Sequence, residues 1–363
     1  VDTVFGNSTE TARAASFVNN TVINTGEMHI GDTVLAGVSV SNLSVAGSDG
    51  ANAQFTGTTG QVNTNGGIIS GLAPQTTDNS TLQVSVDSSS SGVRTGTANV
   101  ELATDGAVTG NAEIFANANV QVSGTVYELA SAQINNAQPI TFGNVHVGDI
   151  TVAQDVSITN TALNNGFGEN LNASAGAVTG GVISNGGLFN GLAAQGADVG
   201  SINVNIDTSS AGNKAGLATI DFVSDGNGIN SLGQTLLASQ DVAVTGQVFR
   251  LATATVDNPA AFAFGNVHVG DVLSQAVSVS NTAVADAFSE GLNASFGAAS
   301  DARIQNNAGS VGQLIAGGTD NTAMVVSVNT AAAGNVNGTQ TLNFASDGTG
   351  TSGLGITGLP SQD

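Results

Sequence analysis

The sequence predicts an all-β chain of three tandem β-sandwich domains, the last lacking its final strand. Three observations carry this. The tetrapeptides His29-Ile-Gly-Asp32, His146-Val-Gly-Asp149 and His268-Val-Gly-Asp271 recur 117 and 122 residues apart. Apolar residues alternate with a period of two in each unit, and no stripe has the 3.6-residue helical spacing. The second unit runs through Ser239-Gln-Asp241 into Val242-Ala-Val-Thr-Gly-Gln-Val-Phe-Arg-Leu251, whereas the third reaches Ser361-Gln-Asp363 and has no such continuation.

Along each unit the strands are read in order. After the His-x-Gly-Asp turn come Val38/Val40, Val156/Ile158 and Val277/Val279, each pair leading to an asparagine (Asn42, Asn160, Asn281). Val84/Val86, Val204/Ile206 and Val326/Val328 follow, then Val100/Leu102, Ile220/Phe222 and Leu342/Phe344, which close on Asp-Gly pairs at 105, 225 and 347. The last strand carries Val120/Val122 and Val242/Val244, a glycine at 124 and 246, then Val126-Tyr127 and Val248-Phe249. Alternation of this kind marks strands with one buried face, and a glycine inside such a run predicts a bulge. With an opening strand at Phe142, each unit reaches about seven strands, with turn signals every 8–12 residues as an Ig-like sandwich requires. The middle of each unit (50–75, 172–198 and 293–318) is rich in Gly, Asn and Ala and is compatible with short strands or long loops. The division is a segment 1–20, then Ig-like domains over 21–130, 131–252 and 253–363. Linkers are placed at 130–136 and 252–258, followed by Pro139 and Pro259. Such short junctions predict a semi-rigid rod.

Composition narrows the function. The net charge is -22 with five basic residues, too few for the clustered Lys and Arg that phosphate binding needs, so nucleic acid is excluded as a partner. No run of 18 apolar residues offers a membrane span. Cysteine is absent, which removes disulfide and thiolate chemistry. The chain begins at Val1, as a secreted form would after processing. With low Lys and high Gly, Ala, Asn and Thr, an extracellular, cell-surface location is expected.

Phe142-Gly-Asn-Val-His-Val-Gly-Asp149 with Val156-Ser-Ile-Thr-Asn-Thr161, and Phe264-Gly-Asn-Val-His-Val-Gly-Asp271 with Val277-Ser-Val-Ser-Asn-Thr282, resemble the bacterial choice-of-anchor-D type repeats, of the wider group of ASH-like and MSP-like Ig domains. The likeness covers nearly the whole chain. The first unit departs from it, with Thr25 in place of the opening Phe and different residues at Met28 and Leu43. The resemblance implies an Ig-like sandwich on an exported protein, with no catalytic residues of its own.

Candidate sites are few. Each histidine stands alone in its unit, so none makes a metal site or a triad; a strand-end residue beside a Gly-Asp turn is the reading adopted. The loops at Asp225 and Asp347 present oxygens at short spacing and are the candidates for calcium, but each offers one carboxylate where calcium takes six or more oxygens. A tight Asp-Gly turn is the alternative. Asn-x-Ser/Thr occurs at Asn7, Asn19, Asn42, Asn79, Asn172, Asn293 and Asn337, which allows glycan decoration. No catalytic or cofactor-binding residue is assigned, and no enzyme is expected. With no Trp and one Tyr, sugar-stacking platforms are scarce.

The missing strand of the third unit is the strongest pointer. Burying one large apolar side chain is worth roughly 1.5–3 kcal/mol, so four or five approach roughly 6–12 kcal/mol. That rivals the whole net stability of a domain, about 5–15 kcal/mol. The expectation is a homopolymer in which residues of about 1–13 of one copy complete the third sandwich of the next, a pilus-like surface filament built by donor-strand complementation. Its interface is assigned to Val1, Val4, Phe5, Phe344, Leu354, Ile356 and Leu359, although residues 1–13 lack the Val-x-Val-x-Gly-x-Val pattern. The alternative is a spacer or stalk fragment of a larger adhesin or surface-layer protein.

Overall fold

A computed structural model describes residues 14–258 and 261–363. Every regular element among them is a β-strand, and no helix is long and apolar enough to cross a membrane. Three sandwiches follow one another, each with its own core.

The second domain shows the plan. One sheet orders Ala132–Ile134, Gln154–Asn160, Ala197–Ile206 and Val182–Ser184. The facing sheet orders Ile140–His146, Gln240–Phe249, Gly212–Asp225, Asn170–Val178 and Leu188–Leu192. The alternating residues meet between them: Val156, Ile158, Ile202 and Val204 from one side, Ile220, Phe222, Val242 and Val244 from the other, all essentially inaccessible to water. Burial of one face per strand is what the period-two pattern demands. The first domain repeats the second sheet with Val22–His29, Glu113–Tyr127, Gly92–Thr104, Ala51–Gly60 and Ile68–Leu72. Its facing sheet is split into two three-stranded pieces.

In both domains the last strand lies between two neighbours of opposite sense. Gln240–Phe249 runs parallel to Ile140–His146 and antiparallel to Gly212–Asp225; Glu113–Tyr127 does the same with Val22–His29 and Gly92–Thr104. The parallel register skips at the glycine, between Ser123 and Thr125 in one domain and between Thr141 and Asn144 in the other. The extra residue sits in the opening strand, where three steps face two in the last strand, while Gly124 and Gly246 keep regular register with the penultimate strand; the bulge expected at these glycines falls on their neighbour instead.

Two readings of the sequence change. The ambiguous middle of each unit forms strands, because its small residues supply the edge pairs Asn170–Val178 with Leu188–Leu192 and Gly291–Ala299 with Ser310–Leu314. The linkers are themselves part of the sandwiches. Ala132–Ile134 and Ala254–Val256 are edge strands, and Ala130 and Ala252 are buried, each donating its N–H to a core serine, Ser224 or Ser346, at 2.7 Å. No free linker separates the domains there.

The third domain has Ala254–Val256, Leu273–Asn281, Thr319–Val328 and Ile304–Asn306 in one sheet. The other holds Ser310–Leu314, Gly291–Ala299, Gln340–Asp347 and Ile356–Gln362. Ile356–Gln362 pairs only with the upper part of its neighbour, from Asp347 down to Leu342. Below that point no strand lies along this side among the described residues. Residues 264–268, matching part of the opening strand, and 331–339, matching the start of the penultimate one, belong to no strand. The core cluster counts ten buried residues against eighteen in the second domain, so the sandwich is thinnest where its flanks are unpaired.

Candidate functional site

Two places stand out: the joints between domains and the open flank of the third sandwich. The joints are built by the recurring histidine. Its turn is the same in all three domains: the backbone N–H of His29, His146 or His268 donates to the carboxylate of Asp32, Asp149 or Asp271 at 2.9, 2.7 and 2.9 Å. Gly31, Gly148 and Gly270 adopt φ of 88°, 85° and 93°, which no β-carbon tolerates easily. The strand-end reading holds for His29 and His146, whereas His268 belongs to no strand and keeps only the turn.

The imidazole has a further task that the sequence did not reveal. His29 Nε2 lies 2.8 Å from Glu169 Oε1 of the next domain, and His146 Nε2 lies 2.8 Å from Glu290 Oε1. Both glutamates are fully buried. Glu169 also accepts from the Ser224 hydroxyl at 2.6 Å and the Asn230 amide at 2.7 Å; Glu290 accepts from the Ser346 hydroxyl at 2.7 Å and from Ser352. A buried carboxylate is tolerated only when donors surround it, so each of these two carboxylates draws one donor from the preceding domain. The order is serine, glutamate, histidine. With the carboxylate in the middle, the imidazole bonds the glutamate at each joint, and the serine donates to that same glutamate.

Other contacts repeat at both joints. Tyr127 meets Phe167 with ring centroids 5.8 Å apart, and Phe249 meets Phe288 at 5.7 Å. Backbone bridges join Glu128 to Phe167 and Glu169, and Arg250 to Phe288 and Glu290. Ser231 donates its hydroxyl and N–H to Glu27 at 2.6 and 2.7 Å and holds that carboxyl below its ordinary range. Asn144 fills the same place at the second joint, donating to the Ser352 carbonyl at 2.6 Å. Arg250 adds an ion pair with Asp286 at 2.7 Å.

The ends of the series differ from its middle. The His268 side chain is 99% exposed, against 16% and 17% for His29 and His146. In the first domain the place of the buried glutamate is taken by Asp49, one methylene shorter and fully buried. Its own loop closes over it: Val108 and Thr109 N–H groups donate to Oδ1 at 2.6 and 2.9 Å, and the Thr104 and Thr109 hydroxyls donate to Oδ2 at 2.8 and 2.6 Å. Burial opposes ionisation of Asp49, but these four donors outweigh it and lower its pKa from 3.8 to about 2. A carboxyl depressed in the folded state adds stability above its unfolded pKa, and that contribution is lost as pH falls from about 4 towards 2. We expect Asp49→Asn to flatten the acid limb of the first domain's pH–stability profile in that window, as followed by circular dichroism.

The sequence-derived candidates disperse. Asp225 accepts from Asn172, Gln234 and the Asn227 N–H, and Asp347 from Asn293 and Thr349. Their oxygens face nitrogen and hydroxyl donors, and no group of three metal-ligating residues exists among the described residues. Neither loop is a two-residue turn; Gly226 bonds back to Gly233, and Gly348 to Gly355. Of the expected interface, Val1, Val4 and Phe5 lie outside the described residues. Phe344 is a buried core side chain paired with Leu359, which itself packs on the core. Leu354 and Ile356 are exposed on the same upper part of the sheet. The asparagines Asn42, Asn172 and Asn293 spend their amides on internal hydrogen bonds.

No protein-family model and no curated protein matches the chain. Among solved structures, human CDH23 EC21-23 is similar at 10% identity and a TM-score of 0.37, covering 95% of this chain and 98% of that one. A titin I-band fragment, I67-I69, is similar at 7% identity and a TM-score of 0.33, covering 94% and 95%. The ASH / PapD-like domain 7 of human CEP192 covers 32% of this chain and 88% of its own at 10% identity, with a TM-score of 0.25.

Proposed function

We propose that this chain is a non-enzymatic structural protein of the bacterial cell surface, a filament subunit assembled head to tail by β-strand donation into its third domain. One observation carries the proposal: a sandwich flank whose two bordering segments, 264–268 and 334–339, lie outside any strand, where the first two domains hold a shared last strand. An exposed sheet edge of this kind is a template for a further strand. The latched joints suit the role, because a fibre subunit must transmit position from one end to the other. Extracellular placement is supported by the acidic composition, low in Lys and rich in Gly, Ala, Asn and Thr.

The test uses the full chain and a version without residues 1–13, followed by electron microscopy and by sedimentation over a range of concentrations. Concentration-dependent filaments from the full chain alone are expected. Filaments from the shortened chain would remove residues 1–13 as donor, and a monomeric full chain at every concentration would remove the filament. The second reading, a spacer in a longer adhesin or surface-layer protein, is favoured by the same joints, since a spacer needs fixed angles between its domains.

A further inference from the structure

We infer that the two joints carry different charge keys, so that each carboxy-terminal pole accepts its own following domain and rejects the same surface of any other domain, including those of a second copy of the chain.

The contacts common to both joints cannot discriminate. Histidine meets glutamate and an aromatic ring meets phenylalanine at each. The N–H groups of Glu128 and Arg250 donate to the carbonyls of Phe167 and Phe288 at 2.8 and 2.9 Å. Those of Glu169 and Glu290 return the bond to the carbonyls of Glu128 and Arg250 at 2.9 and 3.1 Å. Through these contacts alone, the pole of the first domain would fit the third domain as well as the second. Tandem domains of one fold are open to misassembly of this kind.

Aligned positions around that shared frame break the equivalence. The residue after the aromatic ring is Glu128 at the first joint and Arg250 at the second. The receiving turn holds Asn165 in one domain and Asp286 in the other, each accepting from a phenylalanine N–H two residues on at 2.9 Å. Arg250 Nη1 donates to both oxygens of Asp286 at 2.7 Å and to the Ser289 hydroxyl at 2.8 Å. Glu128 instead accepts from the Leu163 N–H at 3.2 Å, in the same turn as the uncharged Asn165. A further pair of positions adds to the difference. Glu27, which takes both donors of Ser231, aligns with Asn144, and Ser231 aligns with Gly353. Gly353 has no hydroxyl, and its N–H already donates to the Gly348 carbonyl at 2.7 Å.

Wrong pairings therefore conflict. The pole of the first domain set on the third would bring Glu128 beside Asp286 and leave Glu27 without its donors. The pole of the second domain, set on the second domain of another copy, would trade the Asp286 carboxylate for the Asn165 amide. Like charges placed against a wrong partner are the repulsive half of specificity. In a chain of net charge -22 with five basic residues, few cations are at hand to relieve them.

Amide exchange in the full-length chain reads the joints separately, through the N–H groups of Glu128 and Glu169 at the first and of Arg250 and Glu290 at the second. Arg250→Glu recreates the wrong combination, a first-domain charge against Asp286. At low salt it should speed exchange at 250 and 290 at least about tenfold, leaving 128 and 169 unchanged. Adding Asp286→Asn rebuilds the pairing of the first joint and should return exchange to within about threefold of the unaltered chain. Asn165→Asp should loosen the first joint in the same way, and Glu128→Arg should repair it. Both losses should shrink as salt is raised, which damage to the fold of a domain would not do. The inference falls if Arg250→Glu exchanges within about twofold of its parent, or if Asp286→Asn fails to repair it.

Discussion

Asn160→Ala is expected to destabilise the second domain by about 3–5 kcal/mol, enough to unfold it well below the melting temperature of its neighbours. Asn160 is fully buried at the end of strand Gln154–Asn160. Its amide donates to the carbonyls of Glu169 and Leu192 at 2.9 and 3.1 Å, and its oxygen accepts from the N–H groups of Ser131 and Ala162 at 3.1 and 3.2 Å. One side chain thus satisfies four backbone groups from four segments, and each buried group left without a partner costs about 1–3 kcal/mol. Asn281 repeats all four bonds in the third domain, and Asn42 pins the carbonyls of Asp49 and Leu72 in the first. Asn160→Asp keeps the acceptor and loses the donors, so it should do comparable damage. Domain-resolved chemical denaturation followed by amide exchange reads the result; a loss under about 1 kcal/mol would show that other groups or water replace the amide.

His29→Ala should weaken a domain to which His29 does not belong. Its ring covers Glu169, and its removal leaves that buried carboxylate with Ser224 and Asn230 alone. Losing one partner of a buried charged contact costs about 2–4 kcal/mol. The loss should fall on the pole of the second domain and on the angle at the joint, leaving the core of the first domain intact. His268→Ala is the internal control. Its side chain is almost wholly in solvent, and the change should stay within about 0.5 kcal/mol. Residual dipolar couplings of the two domains, compared before and after His29→Ala, give the joint's rigidity. Equal effects of His29→Ala and His268→Ala would mean that the carboxylate contact contributes nothing.

How much of this was legible in the sequence depends on the distance over which each feature is determined. The alternating strands were readable because burial of one face is a local pattern. The glycine at 246 marks the level of the irregularity, but a glycine in one strand does not say which of two paired strands carries the extra residue. The asparagines were visible as strand ends, yet their role was not, since three of the four partners of Asn160 come from segments 9 to 32 residues away. Segments 130–136 and 252–258 were taken as linkers because three-residue edge strands carry no periodicity to detect. The histidines were the largest omission. His29 and Glu169 are 140 residues apart, and only the two segments Phe167-Gly-Glu-Asn-Leu-Asn-Ala-Ser174 and Phe288-Ser-Glu-Gly-Leu-Asn-Ala-Ser295, aligned with each other, expose the glutamate as a recurring element. Phe344 and Leu359 pair with each other through Ile356–Gln362, a strand that shields the upper sheet and leaves the gap below it.

The histidine and its glutamate sit at opposite poles of one repeat, so the second unit brings a plug for the unit after it and a socket for the unit before it. A gene duplication that copies such a unit whole inserts a module already matched on both sides, with no compensating change elsewhere. Lengthening this array therefore requires only recombination.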